Sequence, residues 1–78
     1  MSTIFVYPLD ANASVAFIAA KFEEFGQVEA VRMFIAGVEP KFALVEMPCE
    51  TSADNAVRAL NRKRVGSVLV EVALLGVP

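Results

Sequence analysis

The sequence predicts an α+β domain whose elements run β-α-β-β-α-β. Three observations predict it. Four short runs are rich in β-branched and aromatic residues, two stretches carry apolar residues at helical spacing, and Gly or Pro punctuates the boundaries between them. The chain has 78 residues, which is room for one domain spanning residues 1–78. A domain this short buries only about 60% of the surface its unfolded chain exposes, so it needs a dense apolar core. With 56% hydrophobic and 21% charged residues, the composition supplies that core and excludes a disordered chain.

The elements follow in order. Thr3 to Tyr7 reads as the first strand, stopped by Pro8. Asp10 and Asn12 are good helix N-cap residues. After them Val15, Ile18, Phe22 and Phe25 keep helical spacing, and Gly26 supplies the stop. Val28 to Ile35 is a second strand, Gly37 and Pro40 mark a turn, and Phe42 to Met47 is a third strand ended by Pro48. Thr51 or Ser52 caps a second helix that buries Ala53, Ala56, Val57 and Leu60. Asn61 to Gly66 reads as a polar loop, and Val68 to Leu74 as the last strand. This order is the split β-α-β, ferredoxin-like arrangement. Each helix has one apolar stripe and each strand one side to bury, so both helices cover one face of a four-stranded antiparallel sheet and leave the other open.

Alternation along the strands says what the open face carries. Ile4 and Val6, Val31 and Met33, and Ala43 and Val45 suit the core. Phe5, Tyr7, Arg32, Phe34, Phe42 and Leu44 then face outward. In the last strand Val68, Val70 and Val72 go inward, because burying Glu71 without a partner would be costly. The core should take in Phe22, Phe25, Val31, Val45, Ala56 and Leu60. The chain ends soon after the last strand, so no tail is expected over the aromatics. A contiguous exposed apolar patch of this kind marks a binding surface, with self-association as the bland alternative.

Composition narrows the chemistry. The single cysteine, Cys49, makes no internal disulfide, which fits a reducing cytoplasm. There is no histidine, so Ser-His and Cys-His nucleophile pairs are excluded and no zinc site is expected. No cofactor is expected. Met1-Ser2-Thr3 does not open like a signal peptide, and no apolar stretch approaches the ~20 residues of a membrane helix. The net charge of −2 denies the chain a global basic footprint, so any nucleic-acid binding must rest on a local patch or on stacking.

At this point the residues resemble the RNA recognition motif family over the whole chain. Ile4-Phe5-Val6-Tyr7-Pro8-Leu9 is similar to that family's first-strand motif, with its aromatic in second place. The third-strand motif, K/R-G-F/Y-G/A-F-V-x-F/Y, aligns with Pro40-Lys41-Phe42-Ala43-Leu44-Val45-Glu46-Met47. Phe42, Ala43 and Val45 match it; Pro40, Lys41, Leu44 and Met47 depart, with Lys41 supplying a basic group one position late. Phe22 to Val28 looks like the family's first helix end, and Ala53, Ala56, Val57, Leu60 and Asn61 like its second helix and the asparagine after it. The pattern is similar to small single-domain bacterial members, and Leu44 with the short second loop resembles the polypyrimidine-tract-binding subtype.

The resemblance implies single-stranded RNA binding on the sheet, where splayed bases stack on aromatic side chains. Phe5 would hold one base, and Phe42 a ribose or a second base. Leu44 replaces a third platform, for which Tyr7 and Phe34 partly compensate. Arg32 and Lys41 are expected to meet phosphate or base, and the Arg62-Lys63-Arg64 loop to grip phosphates beside the sheet, unless it is simply a solvated loop. The expected partner is single-stranded RNA, bound by a monomer. The alternative is a protein-interaction module of the same fold, favoured by low net charge and Leu44. The peptide-binding subtype's Arg-x-Phe is missing, since Val65 follows Arg62-Lys63-Arg64. An enzyme or ligand sensor ranks last, without His or paired acids.

Overall fold

A computed structural model describes residues Ser2–Gly76. The elements are β1 (Ser2–Tyr7), α1 (Val15–Glu23), β2 (Ala30–Ala36), β3 (Glu39–Met47), α2 (Glu50–Leu60), β4 (Lys63–Val65) and β5 (Val68–Gly76). The sheet order is β2-β3-β1-β5-β4, and every neighbouring pair is antiparallel. The α+β ferredoxin-like fold is the expected one, but the sheet has five strands instead of four. The extra strand, β4, lies inside the segment read as a polar loop. Three residues are too few to show alternation, and the hairpin is set by turn chemistry. Gly66 opens the two-residue turn between Val65 and Val68 with φ +70°, a conformation L side chains rarely adopt.

The core lies between the sheet and the helices. Ile4, Val6, Ala43, Val45, Met47, Val70 and Val72 meet Ile18, Phe22, Ala53 and Ala56. Of the expected core residues, Phe22, Val45 and Ala56 are fully buried. Phe25, Val31 and Leu60 are half-buried against the same cluster, because β2 is an edge strand and the other two lie at or beyond helix ends.

The caps differ from those expected. Ser14, not Asp10 or Asn12, caps α1, its hydroxyl accepting from the Phe17 amide at 3.1 Å. Val15 is largely exposed, so the buried stripe of α1 narrows to Ile18 and Phe22. Cys49 takes the N-cap position of α2 without a side-chain cap bond, which puts Thr51 and Ser52 inside the helix. Gly26 is required by close approach: a Cβ there would fall 2.6 Å from Ser52 Cβ, so the loop before β2 packs directly on α2.

Asp10 serves instead as a tie between distant loops. Its Oδ1 accepts from the Asn12 amide at 2.8 Å, and its Oδ2 accepts from the Ser67 amide at 2.6 Å and from the Ser67 hydroxyl. The Ser67 hydroxyl, followed by the Asn12 and Ser67 amides, holds this carboxyl below its ordinary value. A lowered folded pKa means the ionised form stabilises the fold above the ordinary carboxylate pKa of about 3.9, and that contribution is lost as pH falls through the lower folded value. Unfolding free energies of wild type and Asp10→Asn measured against pH should differ near neutrality and converge in acid. Parallel curves across that range would refute this role.

Candidate nucleic-acid interface

Strand register assembles the open face row by row. Arg32 pairs with Leu44, Leu44 with Phe5, and Phe5 with Ala73, giving one row across β2, β3, β1 and β5. Phe34 pairs with Phe42, and Tyr7 with Glu71. Ile4, Val6, Ala43 and Val45 on the alternate positions are buried, so the face with Phe5, Tyr7, Phe34, Phe42 and Leu44 is the one the helices leave open.

The aromatic rings form a connected series. Phe34 and Phe42 stack with centroids 4.5 Å apart and planes 12° from parallel. Phe42 and Phe5 are 5.2 Å apart at 36°, and Phe5 and Tyr7 6.2 Å apart at 24°. These separations fall within the range of favourable aromatic pairs, so each ring positions its neighbour. Phe5, Phe42 and Leu44 are half-buried among these neighbours, while Tyr7 and Phe34, at the two ends of the series, expose 50% and 42% of their surface.

The cations do not share one location. Arg32 is exposed on β2, at one edge of the sheet beside Leu44. Arg62, Lys63 and Arg64 lie at the other edge. Arg62 sits in the turn after α2 with φ +61°, its amide donating to the Val70 carbonyl at 2.8 Å. Asn61 holds that turn, its Oδ1 accepting from the Val72 amide at 3.0 Å. Lys63 pairs with inward-facing Val70, whereas Arg64 pairs with outward-facing Leu69. Arg64 is therefore the member of the cluster that shares the aromatic face, and its guanidinium donates to the Ser67 carbonyl at 3.2 Å. Lys41 is exposed and is the extra residue of a bulge, since Phe34 faces Phe42 and Ile35 faces Pro40. Simple alternation does not assign it to either face.

The structure also adds Leu69, 57% exposed on the same face. The alternating set Leu69, Glu71 and Ala73 carried that signal, but an isolated leucine at a strand start does not stand out as a contact. Phe17, off the main helix stripe, packs on the core and lines an open cleft of about 200 Å³ with Asp10, Asn12, Ala13 and Gly66. Cys49 is exposed at the start of α2, where its thiol makes no cap hydrogen bond; the nearby Ser52 hydroxyl, then the Ser52 and Thr51 amides, hold it below the ordinary value. Among the described residues no group of three or more His, Cys, Asp or Glu is placed to hold a metal ion, and no helix is long and apolar enough to cross a membrane.

Comparison with known proteins agrees with this architecture. Residues 4–70 match the RNA recognition motif family. The chain belongs to that family, whose domains are RNA-binding modules. Among solved structures it is similar to the RRM domain of S. pombe Puf1, at 26% identity and TM-score 0.78, covering 99% of each chain. It is also similar to an RNA-binding protein called PG1, at 21% identity and TM-score 0.88, covering 100% of this chain and 99% of that one. The RRM of Rna15, solved with bound RNA (GU), aligns at 19% identity and TM-score 0.81, covering 91% of this chain and 79% of that one. A search of curated proteins finds no match.

Proposed function

We propose that this domain binds single-stranded RNA on its open sheet face, by stacking bases on the Phe34-Phe42-Phe5-Tyr7 series. The connected ring series on an uncovered face is the observation that carries the reading. Single-stranded bases stack on such platforms, each contributing about 1–3 kcal/mol. Arg32 and Arg64 flank the rings at opposite edges of the sheet, where a strand crossing the face would present its phosphates. The solved Rna15 domain, with RNA bound, is a precedent within the fold.

Affinity is expected to be weak. Leu44 offers an apolar contact where the family motif has a ring, Glu71 puts an anion opposite Tyr7, and the chain is net negative. Dissociation constants near physiological salt should fall in the range of about 10⁻⁴–10⁻⁶ M. Binding would be the whole of its activity, without catalysis.

The test is a salt titration. Each phosphate contact to a single strand contributes about 0.7 to the slope of log K against log salt. Replacing Arg62, Lys63 and Arg64 together by Gln should flatten that slope, and Arg64→Gln alone should reproduce most of the change. An unchanged slope in the triple variant would remove this edge from the interface. Salt-independent nanomolar binding of wild type would contradict the reading of the surface as a whole. The second reading, a protein-interaction module, draws on the net charge and Leu44. It predicts no response to RNA at all.

A further inference from the structure

β2 is an edge strand, and among the described residues its outer side pairs with no other strand. Free edges of seven residues are usually blunted by charge, proline or a covering element. This one, Ala30-Val31-Arg32-Met33-Phe34-Ile35-Ala36, carries one charge and no proline. Ile35 is 59% exposed and Phe34 42%, and Val38 in the adjoining turn is 94% exposed.

We propose that this edge pairs with the same edge of a second copy of the chain, antiparallel about a two-fold axis through Met33. The strand is self-complementary in that register. Ala30 meets the partner copy's Ala36, Val31 meets Ile35, Arg32 meets Phe34, and Met33 meets Met33. Val31, Met33 and Ile35 lie on the helix side and join into one apolar strip. On the open side each Arg32 lies across from a Phe34 ring, the partner a guanidinium favours. Charge selects the register. Sliding by two residues in one direction sets Arg32 directly against Arg32, which destabilises a cross-strand pair. Sliding in the other direction sets Arg32 against Ala36 and loses the ring. The pairing satisfies the unpaired edge amides and carbonyls, and a two-fold strand contact is closed, so it ends at a dimer. Phe5 and Phe42, on interior strands, stay uncovered, so the dimer keeps the aromatic face.

Sedimentation equilibrium of the chain over micromolar to millimolar concentration should show a reversible monomer–dimer equilibrium. Ile35→Lys replaces an exposed side chain, keeps the fold by circular dichroism, and should shift dissociation at least tenfold toward monomer. The register is read by disulfide trapping in a Cys49→Ser background. Ala30→Cys with Ala36→Cys should oxidise to a covalent dimer, while either cysteine alone should not. Wild type monomeric at millimolar concentration would overturn the proposal. So would an Ile35→Lys chain that associates like wild type, or trapping by a single cysteine as efficient as by the pair. None of these outcomes depends on RNA.

Discussion

Replacing Phe5 or Phe42 by alanine should each weaken RNA binding by about 1–3 kcal/mol, roughly five- to 150-fold, and leave the domain folded. Phe42 stands between Phe34 and Phe5 in the ring series, so its removal takes one stacking surface and releases two others. Phe5 stands between Phe42 and Tyr7. Because the two are in contact, the double variant should lose less than the sum of the single losses. Both side chains are half-buried on the face away from the helices, so neither change opens a cavity in the core. The stability cost should stay below the roughly 3–5 kcal/mol of a buried phenylalanine. Fluorescence anisotropy with a labelled oligoribonucleotide, beside urea unfolding of each variant, measures both quantities. Full RNA affinity in Phe42→Ala would show that the ring series is not the platform.

The opposite pattern is expected at Phe22. It is only 2% exposed and is the largest of the fully buried side chains, set among Ile4, Ile18, Val45 and Met47 in the core. Phe22→Ala should cost about 3–5 kcal/mol, from lost burial and the cavity left behind. A domain of this length has a total stability of roughly 4–12 kcal/mol at typical values per residue, so the loss takes a large share of it. Urea unfolding should show a sharply lowered midpoint or no folded baseline, and Phe22→Leu should retain much of what alanine loses. A Phe22→Ala domain unfolding at the wild-type midpoint would contradict the packing described above.

Most of this fold was legible because burial alternates cleanly in the long strands. Ile4 and Val6 against Phe5 and Tyr7, or Val70 and Val72 against Leu69 and Glu71, assign a face to every residue once one side is buried. The open-face aromatics follow from the same alternation. What was not legible depends on tertiary partners. Asp10 has the chemistry of a helix cap, yet Ser67 lies within reach across 57 positions of sequence and engages its carboxylate. Lys63 to Val65 becomes a strand because Gly66 turns the chain back onto β5. That hairpin places Lys63 and Arg64 on opposite faces, so a cluster that reads as one basic patch is divided. Lys41 was expected to meet phosphate or base, but as the extra residue of a bulge it breaks the period that would assign it a face.

The central claim is that RNA meets the open face of the sheet. Its most direct test is a chemical-shift titration of the isotopically labelled domain with a pool of short single-stranded oligoribonucleotides. The amides of Phe5, Tyr7, Arg32, Phe34, Phe42 and Leu44 should shift in fast exchange, as micromolar affinity requires, while those of Ile18, Phe22, Ala53 and Ala56 stay in place. No shifts at saturating RNA, or shifts confined to α1 and α2, would contradict it.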